Sequence, residues 1–262
     1  MKLDGCTALI TGASAGIGRE FARQLVSRAR VLVLVARRSE RLEELRAELT
    51  QRNPALQVHT HVADLAQPTS AQELAEALER QKIAIDLLIN NAGVGDHGMF
   101  ATSDPQRVEA MLQLNINALT ALTRRFLPAM IARKCGAILN VSSCASFLPL
   151  PRMAVYAATK AYVTSFSEAL HAEAHKHGVS VSALCPGPVH TEFNDLAQRT
   201  DEPGERAPEF TYVSAAEVAR LGLEGIEHNR PTVVPGVVMK AAMLLVRLTP
   251  RPILWRVLRA NV

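Results

Sequence analysis

The stretch Thr11-Gly-Ala-Ser-Ala-Gly-Ile-Gly18 determines how this 262-residue chain folds. Residues 6–11 form an apolar run that predicts a short buried strand, and residues 19–28 have the composition of a helix. The free N–H groups and the dipole at the start of a helix bind phosphate. Glycines let the backbone turn tightly and approach a pyrophosphate closely. The stretch therefore predicts a phosphate-binding turn between a strand and a helix. The alternative is that its glycines only relieve steric crowding.

The end of the second strand indicates which dinucleotide such a turn binds. Residues 30–36 form a continuous apolar run, as expected for a strand that is buried on both faces of a parallel sheet. A cofactor with a free ribose 2′-hydroxyl usually meets an acid there, whereas this strand is followed by Arg37 and Arg38. Two guanidiniums suit a 2′-phosphate, so we predict NADP(H) rather than NAD(H). The alternative is that both arginines pair with the acids of the next helix, Glu40, Glu43 and Glu44.

Strand-like and helical segments alternate along the rest of the chain without a linker or a repeat. Further strands are predicted at residues 56–62, 85–90, 137–142, 179–185 and 232–235. Helices are predicted at residues 39–52, 68–82, 105–133, 152–176 and 215–228. This alternation predicts an α/β fold, a doubly wound parallel β-sheet (Rossmann fold) of about seven strands with helices on both faces. The ligand of such a sheet lies at the carboxyl ends of the strands.

Two side chains with the potential for acid–base chemistry lie on the predicted helix 152–176. Tyr156 and Lys160 are four residues apart, so both leave the same face of the helix, one turn apart. A phenol titrates near pH ~10, and a neighbouring ammonium favours the phenolate and allows acid–base chemistry. Ser143 lies thirteen residues before Tyr156 and can offer a hydroxyl to the same substrate oxygen. An isolated pair of this spacing is more often a surface tyrosine beside a surface lysine, so the interpretation depends on the other motifs.

Composition limits the class and the compartment. Apolar residues make up 48% and charged residues 21% of the chain, as in ordinary soluble domains. The first predicted strand begins at Cys6, so we expect no signal or transit peptide. No uncharged apolar stretch approaches ~20 residues, so we expect no spanning helix. The cysteines are far apart and form no metal-ligand pattern with the histidines. We therefore expect a cytoplasmic protein without a metal.

The basic character of the chain is concentrated in residues 237–262, which form a basic amphipathic extension. The whole chain has a net charge of +4, and this extension carries five basic residues and no acid. The remaining residues are close to neutral, which gives no support to a nucleic-acid partner.

The extension is predicted to begin with a helix at residues 237–248, which Pro250 and Pro252 break. An apolar face with Trp255 follows. One hypothesis is an interfacial helix on an anionic membrane. The other is packing on the protein's own substrate cleft or on a neighbouring subunit.

The ordered set of motifs resembles the short-chain dehydrogenase/reductase family. The motifs are residues 11–18 (TGASAGIG), residues 90–93 (NNAG), Asn115, Ser143, Tyr156 with Lys160, and residues 186–191 (PGPVHT). The resemblance covers roughly residues 5–236 and implies one catalytic domain at residues 1–236. It implies an NADP(H)-dependent oxidoreductase that transfers hydride between the nicotinamide and a ketone or secondary alcohol.

The resemblance also implies roles for four catalytic residues. Tyr156 is the acid/base that protonates the carbonyl oxygen. Lys160 lowers the pKa of Tyr156 and binds the nicotinamide ribose. Ser143 orients the carbonyl, and Asn115 holds a water in a proton relay. The relay role predicts a local distortion of the helix around Asn115, because a distorted turn leaves a carbonyl free for water.

The implied cofactor contacts are distributed over the strand ends. By resemblance, two groups of residues bind the pyrophosphate, riboses, adenine and carboxamide of the cofactor. The first group is Arg37, Arg38, Tyr156 and Lys160. The second is Gly12, Ser14, Ile17, Gly18, Asp64, Leu65, Asn91, Gly93, Val189 and Thr191. Asp64 and Leu65 meet the adenine, and Val189 and Thr191 meet the carboxamide.

Residues 94–100, 144–153 and 194–213 are expected to wall the substrate pocket, the last of them as a mobile lid. The middle segment (CASFLPLPRM) is apolar, which predicts a substrate with an apolar body. The alternative function is a non-catalytic NADP(H)-binding sensor or scaffold on the same fold. Helices 105–133 and 152–176 resemble the subunit-pairing helices of the family, so we expect a homodimer or homotetramer.

Overall fold

The computed structural model describes residues 2–199 and 207–260 of the chain. Its seven described strands are β1 Thr7–Thr11, β2 Val31–Ala36, β3 Gln57–Val62, β4 Leu87–Asn90, β5 Gly136–Val141, β6 Val179–Leu184 and β7 Thr232–Val233. Its described α-helices are α1 Gly16–Leu25, α2 Ser39–Arg52, α3 Ser70–Arg80, α4 Pro105–Leu112, α5 Leu119–Arg133, α6 Ala154–His175, α7 Glu192–Ala197, α8 Ala215–Glu227, α9 Val237–Leu248 and α10 Arg251–Ala260.

The strands form one parallel sheet in the order β3-β2-β1-β4-β5-β6-β7. Alternate residues of a buried strand point to opposite faces, and each face carries its own apolar core. In β2, Leu32 and Leu34 belong to the core under α1, α2 and α8. Val33 and Val35 belong to the core under α3 and α5. The predicted doubly wound parallel sheet is therefore confirmed.

The predicted helix 105–133 is interrupted in its middle. Asp104 caps α4 by accepting a hydrogen bond from the amide of Gln106 at 2.9 Å. Between α4 and α5 the backbone forms a π-helical turn, Gln113–Ala118. This is the distortion that the sequence analysis expected around Asn115.

The order of the sheet reverses between β1 and β4. After β1 the polypeptide continues to β2 on one side of the sheet, and after β4 it continues to β5 on the other side. This divergence opens a crevice at the carboxyl ends of β1 and β4. Thr11 and Asn90 end the two strands, and the glycine turn and the NNAG segment follow them directly. The topology therefore brings the predicted cofactor motifs to one edge of the sheet.

The C-terminal extension forms two helices, with a break that differs slightly from the expectation. Pro250 separates α9 from α10, whereas Pro252 lies inside the first turn of α10, where a proline costs no internal hydrogen bond. Met243 of α9 is buried, and Met239 lies against Gly187. Among the described residues, no helix is long and apolar enough to span a bilayer.

Candidate active site

The glycine turn is built for close approach of a ligand to its backbone. Gly12 has a φ of +67°, and a Cβ on Gly18 would lie 2.3 Å from the carbonyl oxygen of Gly12. No side chain caps the N-terminus of α1, so its first N–H groups remain available to an anion. Asn91 fixes the turn to β4, because its Nδ2 donates to the carbonyl of Thr11 at 2.9 Å. These residues fit a dinucleotide pyrophosphate.

Arg37 and Arg38 are exposed after β2. The Nη2 of Arg38 donates to the hydroxyl of Ser14 at 3.4 Å, so this arginine does reach the glycine turn. Its Nη1 donates to the carboxylate of Glu192 at 2.8 Å. The acid that pairs with Arg38 is therefore Glu192, at the start of α7, rather than an acid of α2.

The two residues predicted to meet adenine differ in their exposure. Leu65 is buried in the core under α3, whereas Asp64 is partly exposed. Asp64 accepts a hydrogen bond from the amide of Ala66 at 3.1 Å, which fixes the loop after β3.

Asn115 is held rigidly by the NNAG loop and by α6. Its Oδ1 accepts from the amide of Val94 at 3.0 Å. Its Nδ2 donates to the carbonyl of Val94 at 2.9 Å and to the hydroxyl of Thr159 at 3.1 Å. A Cβ on Gly93 would lie 3.2 Å from Asn115 Oδ1 and 3.4 Å from Lys160 Nζ. The structure thus brings Gly93, Asn115 and Lys160 together.

Tyr156 and Lys160 share one buried face of α6, as their spacing predicted. Burial raises the pKa of Tyr156 to about 12, and the side chain of Ser143 offsets part of that rise. Burial lowers the pKa of Lys160 to about 8. The ammonium donates to the carbonyl of Val141 at 2.8 Å and lies 5.8 Å from the centroid of the Tyr156 ring. The expected lowering of the phenol pKa by Lys160 stays a prediction, since burial is the largest influence on that pKa here.

The two neighbouring serines are clearly distinguished by their contacts. Ser142 is buried, and its hydroxyl donates to the carbonyl of Lys160 at 2.8 Å and contacts that of Thr164 at 2.7 Å. The hydroxyl of Ser143 accepts from the amide of Ala145 at 3.1 Å, and its side chain lowers the pKa of Tyr156. The hydroxyl of Ser142 is therefore engaged by α6, and the choice of Ser143 as the catalytic serine stays a prediction.

The segment after β6 reaches the same place. Val189 is buried, and the hydroxyl of Thr191 accepts from the amide of Phe193 at 3.4 Å, which begins α7. A Cβ on Gly16 would lie 3.0 Å from Thr191 Cγ2. Thr191 therefore lies beside the glycine turn.

Three features of the site were missed by the sequence analysis. The ring of Phe193 lies 5.5 Å from the ring of Tyr156. Glu192 binds Arg38, although it directly follows the predicted contact Thr191 and could have been suspected. Asp96 pairs with Arg199, 103 residues away, at 3.0 Å to Nε. No local pattern signals a pair of that separation.

The segment 144–153 does not wholly line the substrate side of α6. Ser146, Phe147 and residues 148–151 border an apolar cavity of about 540 Å³ beneath α10, together with Ala154, Ala157, Ala158 and Ala161. At ~100° per residue, Ala154, Ala158 and Ala161 point well away from Tyr156 and Lys160. The predicted lid 194–213 falls partly outside the described residues, which include α7 and a short 3₁₀ turn, Glu209–Thr211.

The sheet, the glycine turn and the group of Ser143, Tyr156 and Lys160 define a nucleotide-binding oxidoreductase. A family model described as short chain dehydrogenase matches residues 6–202. The chain therefore belongs to the short-chain dehydrogenase/reductase family.

Known relatives support this membership over most of the chain. The chain is 32% identical over 225 residues to the very-long-chain 3-oxoacyl-CoA reductase of Anas platyrhynchos, an alignment that covers 84% of this chain and 70% of that protein. Among eight curated relatives, the share of the relative's own length that is covered ranges from 61% to 85%.

Solved structures of similar fold carry either form of the cofactor. A short-chain dehydrogenase from Sphingobium yanoikuyae in complex with NADPH has a TM-score of 0.79 and 30% identity, with 94% of this chain and 97% of that chain covered. A family member from Burkholderia phymatum in complex with NAD also has a TM-score of 0.79, at 28% identity, with 94% of each chain covered.

Proposed function

We propose that this chain is an NADP(H)-dependent carbonyl reductase or alcohol dehydrogenase that acts on a ketone or secondary alcohol with an apolar body. One observation carries the proposal: Tyr156 and Lys160 share one buried face of α6 with Lys160 beside Gly93, and the Ser143 side chain lowers the pKa of the Tyr156 phenol. A positioned phenol and hydroxyl at a dinucleotide site suit hydride transfer to a carbonyl.

Each catalytic residue has a distinct proposed task. Bound NADPH supplies the hydride in reduction, and NADP⁺ accepts it in oxidation. The raised pKa of Tyr156 keeps its phenol protonated at neutral pH, the form that can give a proton to a carbonyl oxygen. Ser143 orients that oxygen. Lys160 holds the ribose and stabilises the phenolate left after proton transfer, while Asn115 holds a water in the proton relay and fixes the loop at Val94.

The preference for NADP(H) is supported by the charge at the end of β2. Arg38 already contacts Ser14 of the glycine turn at 3.4 Å, and Arg37 is exposed beside it. A planar guanidinium binds phosphate oxygens in a bidentate manner. The carboxylate of a NAD(H)-specific enzyme is replaced here by two cations.

An apolar substrate is supported by the residues around the mouth of the site. Phe193 lies against Tyr156, and several large apolar side chains of the adjoining loops are exposed, namely Met99, Phe100, Leu196 and Phe210. The relative from Anas platyrhynchos is named as a reductase of very-long-chain 3-oxoacyl-CoA, which is consistent with an apolar substrate body.

An activity screen tests the proposed reaction. Ketones and secondary alcohols of graded chain length are offered with NADPH or NADP⁺, and in parallel with NADH or NAD⁺. Turnover of long-chain or bulky carbonyls with NADPH supports the proposal. The alternative, a non-catalytic sensor or scaffold, predicts NADP(H) binding without turnover of any compound.

We also propose that residues 1–236 form the catalytic domain and that the extension 237–262 contacts a membrane peripherally from the cytoplasm. The outward face of α9 is an apolar stripe of exposed side chains, Val237, Leu244, Leu245 and Leu248. Trp255 of α10 is also half exposed. The exposed cations Lys240, Arg251 and Arg256 accompany this face without an acid in the extension, and three such charges contribute up to ~3 kcal/mol at an anionic surface.

Vesicle flotation tests this contact. Full-length protein is expected to float with anionic vesicles and less with neutral ones, and a chain ending at Gly236 is expected to do neither. The variant Leu244→Ser/Leu248→Ser keeps the charge and the length, so it should lose binding if the apolar stripe inserts. A full-length protein that stays at the bottom with anionic vesicles at low salt contradicts the proposal.

A homodimer or homotetramer is proposed on the small residues of α6. Ala154, Ala158 and Ala161 lie on its outward face, where another helix could approach closely. Trp255 and Leu258 of α10 lie across that face in this chain, so assembly there requires α10 to move or to lie between subunits. Sedimentation of the full chain and of a chain ending at Gly236 separates these cases, and monomers of both at micromolar concentration contradict assembly.

A further inference from the structure

The carboxylate of Glu192 lies in a site made by two arginines. It accepts a hydrogen bond from Arg38 Nη1 at 2.8 Å and another from Arg41. The second arm of the Arg38 guanidinium donates to Ser14 Oγ at 3.4 Å. The acidic side chain at the start of α7, the helix that leads into the predicted lid, is thus bound between the glycine turn and the start of α2. We call α7 the lid helix.

This position is also where a cofactor 2′-phosphate would be recognised. In a doubly wound sheet, the adenosine ribose lies at the end of the second strand, beside the first turn. Ser14 and Arg38 are the residues of those two segments that contact each other. A carboxylate and a phosphate present the same kind of anionic acceptor to a guanidinium, so both suit Arg38.

We propose that Glu192 determines cofactor affinity by competing with the 2′-phosphate for Arg38. The proposal rests on the NADP(H) preference proposed above and adds a residue to it. A 2′-phosphorylated cofactor displaces Glu192 from Arg38 and leaves it held by Arg41 alone, which loosens the start of α7. A cofactor with a free 2′-hydroxyl leaves the ion pair in place.

The release of Glu192 reaches the catalytic centre through its neighbour. Phe193 follows Glu192 in α7, and its ring lies 5.5 Å from the ring of Tyr156. It also packs against Gly95, whose Cβ would lie 2.9 Å from Phe193 Cζ. The side chains of Arg38 and Glu192 are 43% and 45% exposed, which makes the pair weak enough to exchange with a ligand. Binding of the phosphorylated cofactor is therefore coupled to the position of a wall of the substrate pocket.

The first test measures binding of two fragments that lack the nicotinamide. Titration calorimetry compares adenosine 2′,5′-bisphosphate with 5′-AMP in wild type, Glu192→Gln and Arg38→Ala. We expect Glu192→Gln to bind the bisphosphate about two- to five-fold more tightly, the size of a lost exposed ion pair, with 5′-AMP unchanged. Arg38→Ala should weaken only the bisphosphate. The control Glu40→Gln removes an equal charge two residues from Arg38.

The second test measures hydrogen exchange of the backbone amides of α7. In wild type, the bisphosphate is expected to raise exchange in Glu192–Ala197, whereas 5′-AMP leaves it unchanged. In Glu192→Gln, exchange should be high before any ligand is added.

The outcomes separate this proposal from the cofactor preference. If wild type prefers the bisphosphate and Arg38→Ala removes that preference, but Glu192→Gln changes neither affinity nor exchange, the competition is overturned and NADP(H) stands. An equal gain in Glu40→Gln attributes the effect to general charge and also overturns the competition. Equal binding of both fragments to wild type overturns both proposals.

Discussion

The two ends of the lid helix α7 are anchored by ion pairs of opposite character. At its start, Glu192 pairs with Arg38 and Arg41 in an exposed position. Beyond its end, Arg199 pairs with Asp96, and these two side chains are only 9% and 5% exposed. Arg199 also donates to the carbonyl of Met99 at 3.1 Å, which ties the lid to the adjoining loop.

The difference in exposure between the two ion pairs indicates which end of the lid helix can respond to a ligand. An exposed ion pair contributes about 0–1 kcal/mol because water screens it and long side chains lose freedom. Removing one partner of a buried pair costs about 3–5 kcal/mol, since a charge is left without compensation. We therefore expect the Asp96 anchor to hold the lid permanently and the Glu192 anchor to exchange.

The largest effect is expected from a change that leaves both anchors intact. Tyr156→Phe removes the acid/base hydroxyl, so turnover should fall by about 10²–10⁴-fold or more, with NADPH binding nearly unchanged. Steady-state kinetics and NADPH titration check this. Tyr162→Phe is the matched control. Tyr162 lies on the same helix as Tyr156, is exposed and hydrogen-bonds the hydroxyl of Thr120. Wild-type turnover in Tyr156→Phe rejects the proposed mechanism.

The next largest effect separates the two anchors by stability. Asp96→Asn should lower the free energy of unfolding by about 3–5 kcal/mol, because it breaks an ion pair whose two side chains are almost fully buried. Glu192→Gln should change it by no more than about 1 kcal/mol. Urea unfolding measures both variants, and similar values for the two would show that the anchors are equivalent.

A pH series sharpens the same contrast. The Arg199 guanidinium holds the pKa of Asp96 below its usual range. A depressed folded pKa gives stability that is full above the unfolded value, near pH ~4, and is lost as pH falls through the folded pKa. The stability difference between wild type and Asp96→Asn should therefore be constant near neutrality and shrink below pH ~4. A difference that grows on acidification contradicts this assignment.

A smaller effect concerns the exchangeable anchor. Arg37→Ala/Arg38→Ala removes the cations beside the proposed 2′-phosphate, and charged hydrogen bonds of about 1.5–3 kcal/mol correspond to at least ten-fold weaker NADPH binding. NADH binding should change little. Fluorescence titration measures the affinities of the double variant for NADPH and for NADH. An equal loss of affinity for the two cofactors would show that the arginines are structural.

The amino-acid sequence alone determined the sheet, the glycine turn and the face shared by Tyr156 and Lys160. These features depend on local patterns, since apolar runs select buried strands and a spacing of four residues places side chains on one helix face. Even the distorted turn around Asn115 was signalled by an asparagine inside a helix.

Only the tertiary structure decided which distant groups meet and how strongly burial acts on them. The pairs Arg38–Glu192 and Asp96–Arg199 join segments 154 and 103 residues apart, and their partners are chosen by packing rather than by neighbouring residues. The pKa of Tyr156 likewise follows from burial that the sequence does not display. Local spacing gives direction along one element, whereas charge pairing and desolvation depend on what the rest of the fold places around each group.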